Sequence, residues 1–357
     1  REDFCSRTPS GKIRAGSPTN PSPENPMTKP TPNAHPALEW KLDELAIELT
    51  VHCNLKCAMC SVWAGRKHAV AEALARSLLE QARALGAKSF IPCGGECFMR
   101  KDFTDLLAYA DELGFEASEV VTNGLLLGPH LKRLAELPSV RLHVSIDGPE
   151  AVHDSLRGEG VYAKALEMLK EAKGLGIPTG MSGVLMKPTL DTAEHILELS
   201  ADLGLEEVSY QPFQVEIQGM DRDPGPWLFA ASDRPWLEDR LAAIRSRAKE
   251  LGVRIFTESL LDLVPAYYFE GLRPIPPGGC FMPSRFLLID IAGDAYPCFF
   301  MRDDVMGNVK DGDPLADIWH SEVHTALQVM AIDSRCPGCL AACSDIASFD
   351  EAGGGES

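Results

Sequence analysis

From Leu45 onward the apolar and polar positions repeat in one rhythm: a short β-branched run, a turn, then an amphipathic stretch that closes on Leu-Gly. The pairs Leu85-Gly86, Leu113-Gly114, Leu175-Gly176, Leu203-Gly204 and Leu251-Gly252 each end such a stretch, and glycine just past a helix tolerates the left-handed cap conformation. Ala165, Leu166, Leu169, Ala172 and Leu175 share one face at helical spacing. Asp191 and Glu194 open another helix as a relative of the capping box. Strand candidates start with Ala46 to Val51 and recur at Ser89-Ile91, Glu119-Thr122, Val140-Ile146, Thr179-Met186 and Glu207-Gln211. The interval from Gly114 to Gly176 is double length and breaks at Leu137-Pro138. Six strand–helix units result. Right-handed crossovers wind such units into a parallel sheet, for which an open doubly wound arrangement is one solution.

Either side of this repeat the pattern changes. Arg1 to Pro36 are rich in Pro, Ser, Thr, Asn and Gly without apolar periodicity, so residues 1–40 read as disordered. Met27 is the first methionine, and residues 1–26, Cys5 among them, are left out of fold reasoning. Residues 41–252 form the core domain, 253–350 a smaller second domain and 351–357 a tail. With 24% charged and 45% hydrophobic residues, a chain of 357 can bury a real core. No apolar run approaches the ~18–20 residues of a membrane helix, and there is no secretory start, so no membrane partner is expected. Lys and Arg number 34 against 52 Asp and Glu, a net charge of −18 that disfavours nucleic acid. Most of the eleven cysteines fall in C-x2-C and C-x3-C spacings suited to metal rather than disulfides. Such clusters need a reducing compartment, which points to the cytoplasm.

The chemistry starts directly after the first strand, where AIELTVHCNLKCAMCSVW carries Cys53, Cys57 and Cys60. A [4Fe–4S] cluster normally takes four thiolates. Three from one tight loop leave an iron open, and an open site is where chemistry happens. Zinc is the plainer alternative, but it needs a fourth ligand that His52 or His68 supplies only awkwardly. The trio resembles the signature of radical S-adenosylmethionine (SAM) enzymes. Pro-Cys-Gly-Gly-Glu-Cys at 92–97, Val-Thr-Asn-Gly at 121–124 and SIDGPEAVHDSLR at 145–157 are similar to further segments of that family, in its order, over residues 44–215.

The resemblance implies a partial (β/α)6 barrel with its site at the C-terminal ends of the strands. There the open iron of the cluster on Cys53, Cys57 and Cys60 is chelated by SAM. Glu96 receives the SAM ammonium and contacts only the ligand, while Gly94 and Gly95 let backbone come close. Ser145 and Arg157 face the ribose and carboxylate, Met59 lies near the adenine, and Asn123 completes the cofactor-binding set. Where the family often has proline after Gly-Gly-Glu, this chain has Cys97, with Cys93 just before. Both thiols are read as packing groups rather than hydrogen donors.

A second cysteine set lies in CFMPSRFLLIDIAGDAYPC, where Cys280, Gly293 and Cys298 are spaced C-x12-G-x4-C. Phe286 to Ile291 and Ala295 to Phe300 read as hairpin arms with a cysteine on each. Cys336, Cys339 and Cys343 follow. These resemble the auxiliary-cluster extensions called SPASM and twitch domains, a zinc ribbon being the alternative. Five cysteines suffice for one auxiliary [4Fe–4S] cluster: Cys280, Cys298 and Cys339, with Cys336 and Cys343 competing for the fourth place. The resemblance implies an enzyme that reductively cleaves SAM, fed by a reductant such as flavodoxin or ferredoxin. Its 5′-deoxyadenosyl radical abstracts hydrogen from a substrate. With only a disordered stretch before Leu42, a small molecule is favoured over a ribosomal peptide. Tyr210, Gln211, Gln214 and Glu216 are candidate pocket residues. A non-catalytic iron–sulfur carrier is the alternative of a different class, although carriers close all four ligands.

Overall fold

The computed structural model describes residues 41–65, 68–205, 207–214, 224–256, 258–271, 275, 279–336 and 338–340. The N-terminal segment 1–40, Glu216, Cys343 and the tail therefore lie outside the described residues. Strands β1 (Glu44–Thr50), β2 (Ser89–Gly94), β3 (Ala117–Thr122), β4 (Val140–Ser145), β5 (Thr179–Leu185) and β6 (Glu207–Pro212) pair in parallel in chain order. Helices α1 (Glu72–Ala84), α2 (Phe103–Glu112), α3 (Leu131–Leu134), α4 (Glu150–Arg157), α5 (Val161–Gly174) and α6 (His195–Leu203) connect them. This is the partial (β/α)6 arrangement, and its core sits between strands and helices. Val120, Leu142, Val144, Met181 and Val208 project from the sheet into a cluster with Leu169, Ile196 and Leu197 of the helices. Their strand neighbours alternate onto the opposite, concave face, as the two-residue period requires.

Three departures from the sequence pattern have local causes. The double-length interval holds two helices after β4, because Gly158 and Gly160, at φ of 126° and 76°, break α4 from α5. The capping-box relation of Asp191 and Glu194 does not form. Asp191 accepts from Trp236 Nε1 at 2.7 Å and Glu194 pairs with Arg240, both on helix α7 (Arg234–Leu251). A seventh parallel strand, β7 (Arg254–Phe256), follows α7 and pairs with β6. Its three residues are too short for the periodicity to register.

The C-terminal segment starts with helix α8 (Leu260–Glu270) and holds strands β8 (Phe286–Ile289), β9 (Asp294–Tyr296) and β10 (Gly307–Asn308). Helices α9 (Leu315–Trp319) and α10 (Glu322–Ile332) follow. The hairpin forms, turning at Gly293 with φ of 96°, but its arms are shorter than the alternation suggested. Cys280 lies before β8 and Cys298 after β9, flanking the arms rather than riding on them. The hairpin is also no separate layer. β8 pairs in parallel with β1, so a single ten-stranded sheet runs β10-β9-β8-β1-β2-β3-β4-β5-β6-β7. β1 thus has a neighbour on both sides, and Leu45, Ala46, Ile47 and Leu49 are fully buried.

Gly279 shows how Cys280 is held. Its φ is 95°, and a Cβ there would lie 2.0 Å from the Ile332 carbonyl oxygen, while Cys280 N–H donates to the Ala331 carbonyl at 3.0 Å. The segment before β8 is pressed against the end of α10, three residues ahead of Ser334 and shortly before Cys336. Gly279→Ala is therefore expected to lower stability by more than the ~1–2 kcal/mol of a left-handed non-glycine residue, read as a reduced denaturant midpoint of the apo protein.

Candidate active site

The loop after β1 is tied at several points. Val51 N–H donates to the His68 carbonyl at 3.1 Å, and Thr50 bridges to Ala69, so the loop returns beside its own start. Ala58 N–H reaches the Leu156 carbonyl on α4 at 2.7 Å, and Cys60 N–H turns back to the Cys57 carbonyl at 3.2 Å. Leu55, Cys57 and Met59 are buried in a small apolar cluster with Leu156, Val161, Met186 and Phe213, against which Cys53 and Cys60 pack. Burial pushes the Cys57 thiol up to about 11, although the Arg157 charge pulls the other way; burial also raises Cys53. Before metal arrives Cys53 and Cys57 carry protons, which ligation must displace.

The donor set fits an iron–sulfur cluster: three soft thiols in an apolar setting. Among the described residues no three His, Cys, Asp or Glu side chains gather around one point as a single ion would require.

Gly94 and Gly95 do something other than expected. A Cβ on Gly94 would lie 2.1 Å from the Thr50 carbonyl oxygen, and one on Gly95 2.1 Å from that of His52. Gly95 N–H donates to the Thr50 carbonyl at 2.6 Å and Glu96 N–H to the His52 carbonyl at 2.7 Å. The close approach is to the root of the cysteine loop, which leaves no room for any side chain at either glycine.

Glu96 also departs from the expectation of a ligand-only contact. It is 2% exposed, and its carboxylate accepts from Phe98 N–H at 3.2 Å, Thr122 Oγ1 at 3.0 Å and Asn123 N–H at 3.0 Å. Burial raises its pKa despite those donors and the Arg157 charge. Asn123 is buried at the end of β3 and donates from Nδ2 to Asn54 Oδ1 of the cysteine loop at 2.8 Å. Glu96 therefore laces the ends of β2 and β3 to that loop.

Ser145, buried, ends β4, and two residues on lies a residue absent from the expected site. Asp147 is 3% exposed and receives Arg157 through Nε at 2.5 Å and Nη2 at 3.2 Å, with Val184 N–H at 3.1 Å. Burial alone would raise Asp147, but the Arg157 charge and hydrogen bonds outweigh it and hold the carboxyl below its usual value. The fully buried His153 accepts the Asp147 N–H at 3.2 Å. Burial first, then the Arg157 charge, lowers its pKa to about 4. The Arg157 charge acts at once on Asp147, Cys57 and Cys60. Asp147 and His153 were both visible within SIDGPEAVHDSLR, but an Asp-Gly pair reads as a turn.

The second cysteine set is assembled from two directions. The charges of Cys298 and Cys336 act on one another, and burial pushes Cys298 up to about 11. The Cys298 sulfur accepts from Phe300 N–H at 3.4 Å, that of Cys336 from Gly338 N–H at 3.5 Å. Next to Cys339, Leu340 is clamped by Gln214, which is 1% exposed. Gln214 Nε2 donates to the Leu340 carbonyl at 2.8 Å and its Oε1 accepts the Leu340 N–H at 3.0 Å. Gln211 Nε2 reaches the same carbonyl at 2.8 Å, and Tyr210 OH donates to the Ala193 carbonyl. These candidate pocket residues thus serve architecture. Cys97 is in the main core with its thiol directed at the Cys93 carbonyl, 3.6 Å away. Cys93 packs toward Met282, Phe286 and Tyr296, and burial raises both thiols, so both are packing groups in their neutral form.

Comparison with known proteins fits this geometry. The radical SAM superfamily model matches residues 47–200, and the model of the SPASM iron–sulfur cluster-binding domain matches residues 280–344. The chain belongs to the radical SAM superfamily and carries a SPASM-type domain, so the second cysteine set is an iron–sulfur rather than a zinc-ribbon set. It is 24% identical to the AdoMet-dependent heme synthase of Methanosarcina barkeri, over 83% of this chain and 90% of that protein. To the PqqA peptide cyclase of Xanthomonas campestris pv. campestris it is 28% identical, over 82% and 78%. The structure of Streptococcus suis SuiB bound to precursor peptide SuiA superposes with a TM-score of 0.64 at 17% identity, covering 82% of this chain and 67% of that one. The peptide-modifying relatives support the peptide alternative better than the small-molecule reading. Among the described residues no helix is long and apolar enough to cross a membrane.

Two expectations test this construction. Unfolded histidine titrates near 6.5, so between pH 6.5 and about 4 the unfolded chain holds a proton on His153 that the folded chain refuses. That part of the stability is complete above pH 6.5 and is lost as the pH falls to about 4, a change on the order of 3 kcal/mol. Urea denaturation of the apo protein across that window should show His153→Gln flattening the dependence. Gln214→Ala leaves the buried Leu340 N–H without its acceptor and should cost about 1–3 kcal/mol, with faster proteolysis of the C-terminal segment around Cys336 and Cys339.

Proposed function

We propose that this chain matures a ribosomally made peptide by radical SAM chemistry. The observation that carries the radical SAM part of the reading is the three-thiol loop held beside Arg157 at the C-terminal end of a parallel sheet, with Leu340, next to Cys339, held by Gln211 of β6. Cys53, Cys57 and Cys60 would hold the first [4Fe–4S] cluster, and four of Cys280, Cys298, Cys336, Cys339 and Cys343 the auxiliary one. Bound there, the first cluster would supply electrons for reductive cleavage of SAM and so for hydrogen abstraction from the substrate. The protein orients and excludes water.

Arg157 spends Nε and Nη2 on Asp147, and its remaining Nη1 would serve the SAM carboxylate. Ser145 and Asn123, at the ends of β4 and β3, would contact the same cofactor, and Met59 would supply apolar surface beside it. Glu96 acts mainly by fixing Asn123 and the cysteine loop, with the SAM ammonium as a further partner. The peptide reading draws its support from the PqqA cyclase and SuiB, and a reductant such as flavodoxin or ferredoxin supplies electrons.

Anaerobic reconstitution tests the core of this. About eight irons per chain are expected, falling to about four in the Cys53, Cys57, Cys60 triple alanine variant. With dithionite and SAM the wild type should form 5′-deoxyadenosine, whereas a mere electron carrier would form none above background. Zinc in place of the second four irons would sink the auxiliary assignment. A mass change in a porphyrin, with none in candidate precursor peptides, would sink the peptide one.

A further inference from the structure

Alternate residues of β3 to β7 turn away from the helices onto the concave face, since Val120, Leu142, Met181, Val208 and Ile255 point into the core. Towards the start of these strands, Glu119, Arg141, His143, Glu207, Arg254 and Phe256 line a cavity of about 230 Å³. A hydrogen bond and an ion pair flank it: His143 Nε2 lies 2.9 Å from Glu119 Oε2, and Arg254 pairs with Glu207. Between them β5 contributes Thr179 and Gly180, and at Gly180 a Cβ would lie 3.0 Å from the Glu207 carbonyl oxygen and 3.4 Å from His143 Nδ1. The missing side chain keeps the cavity open.

Arg141 is the cation left over. Its Nη1 donates to the Glu116 and Ser139 carbonyls at 3.2 and 3.1 Å, and among the described residues no carboxylate forms an ion pair with it. A half-buried guanidinium with donors to spare beside a cavity suits a carboxylate. From Arg141 to Ser145 on the same face of β4 is four residues, about 13 Å at ~3.3 Å per residue. Between them on β4 stands His143, while on the neighbouring strands Ser182 and Ser209 are small and Val121 is 53% exposed on the same face.

We propose that this cavity is a carboxylate-binding subsite of the substrate trough, with Arg141 as its anion-binding group. It rests on the peptide reading and deepens it: the substrate carries an acidic side chain that reaches this cavity, about 13 Å along β4 from Ser145.

The subsite can be read by equilibrium binding, without turnover. Cluster-loaded protein is titrated with N-acetyl-glutamate methylamide and with its glutamine isostere, monitored by NMR. The glutamate probe should bind at least about ten-fold more tightly, and Arg141→Gln should abolish that preference while circular dichroism and the thermal midpoint stay as in the wild type. Gly180→Ala, which keeps Arg141 but fills the floor, should weaken both probes together and covers the case in which Arg141→Gln misfolds. Equal binding of the two probes by the wild type would overturn the proposal, as would a glutamate preference that survives in Arg141→Gln, or Gly180→Ala binding both probes as tightly as the wild type. Absence of 5′-deoxyadenosine formation by the wild type would instead strike the radical reading, leaving the binding result to stand by itself.

Discussion

The site depends on how closely two backbone segments approach. Residues 50–52 and 94–96 exchange hydrogen bonds as short as 2.6 Å, over ground where even a methyl group would overlap a carbonyl oxygen. That contact fixes where the cysteine loop leaves β1, and Ala58 is then anchored to α4 through the Leu156 carbonyl. Three thiols on a loop of eight residues have many ways to point. Anchoring both ends of it to the ends of β2 and α4 removes most of that freedom before any iron is bound, which lowers the entropy that cluster assembly has to overcome.

Around the loop sits a dry group of charges: Glu96, Asp147 and Arg157, with a neutral His153. Buried ions are costly singly and tolerable when paired and hydrogen-bonded. Arg157 does most of the compensation, because it neutralises Asp147 directly while its field extends to Cys53, Cys57 and Glu96. Cluster-bound thiolates would add negative charge at this spot, and the guanidinium is already in place to meet it. His153 is held neutral first by its burial and then by Arg157, beside which a second cation would be repelled.

Much of this was legible in the chain. Glycine-closed helices and β-branched runs announced six parallel units, since repeated local signals reinforce one another. The thiol loop was plain from spacing. What escaped was relational. No pattern in Gly94-Gly95 says that the crowding atoms belong to Thr50 and His52, because the partner lies forty residues away. Gln211 and Gln214 looked like pocket residues since polar groups at a strand end usually face a ligand; here they face Leu340, more than a hundred residues downstream. The seventh strand was missed because three residues carry too little periodicity, and the hairpin's fusion to β1 because parallel pairing leaves no turn signal.

That fusion has a consequence for how the molecule comes to exist. β1, which leads into the first thiol loop, has β2 on one side and β8 on the other, and β8 is not synthesised until some 240 residues after β1 starts, Glu44 pairing with Phe286. Until then the strand nearest the reactive loop is a bare, apolar edge, the kind of template that invites pairing with other chains. The two cysteine sets are therefore not a catalytic module with an optional appendage. The second half of the chain supplies the cover that the first half needs, and a fragment ending at residue 252 would carry every signature of the superfamily on a sheet open to aggregation.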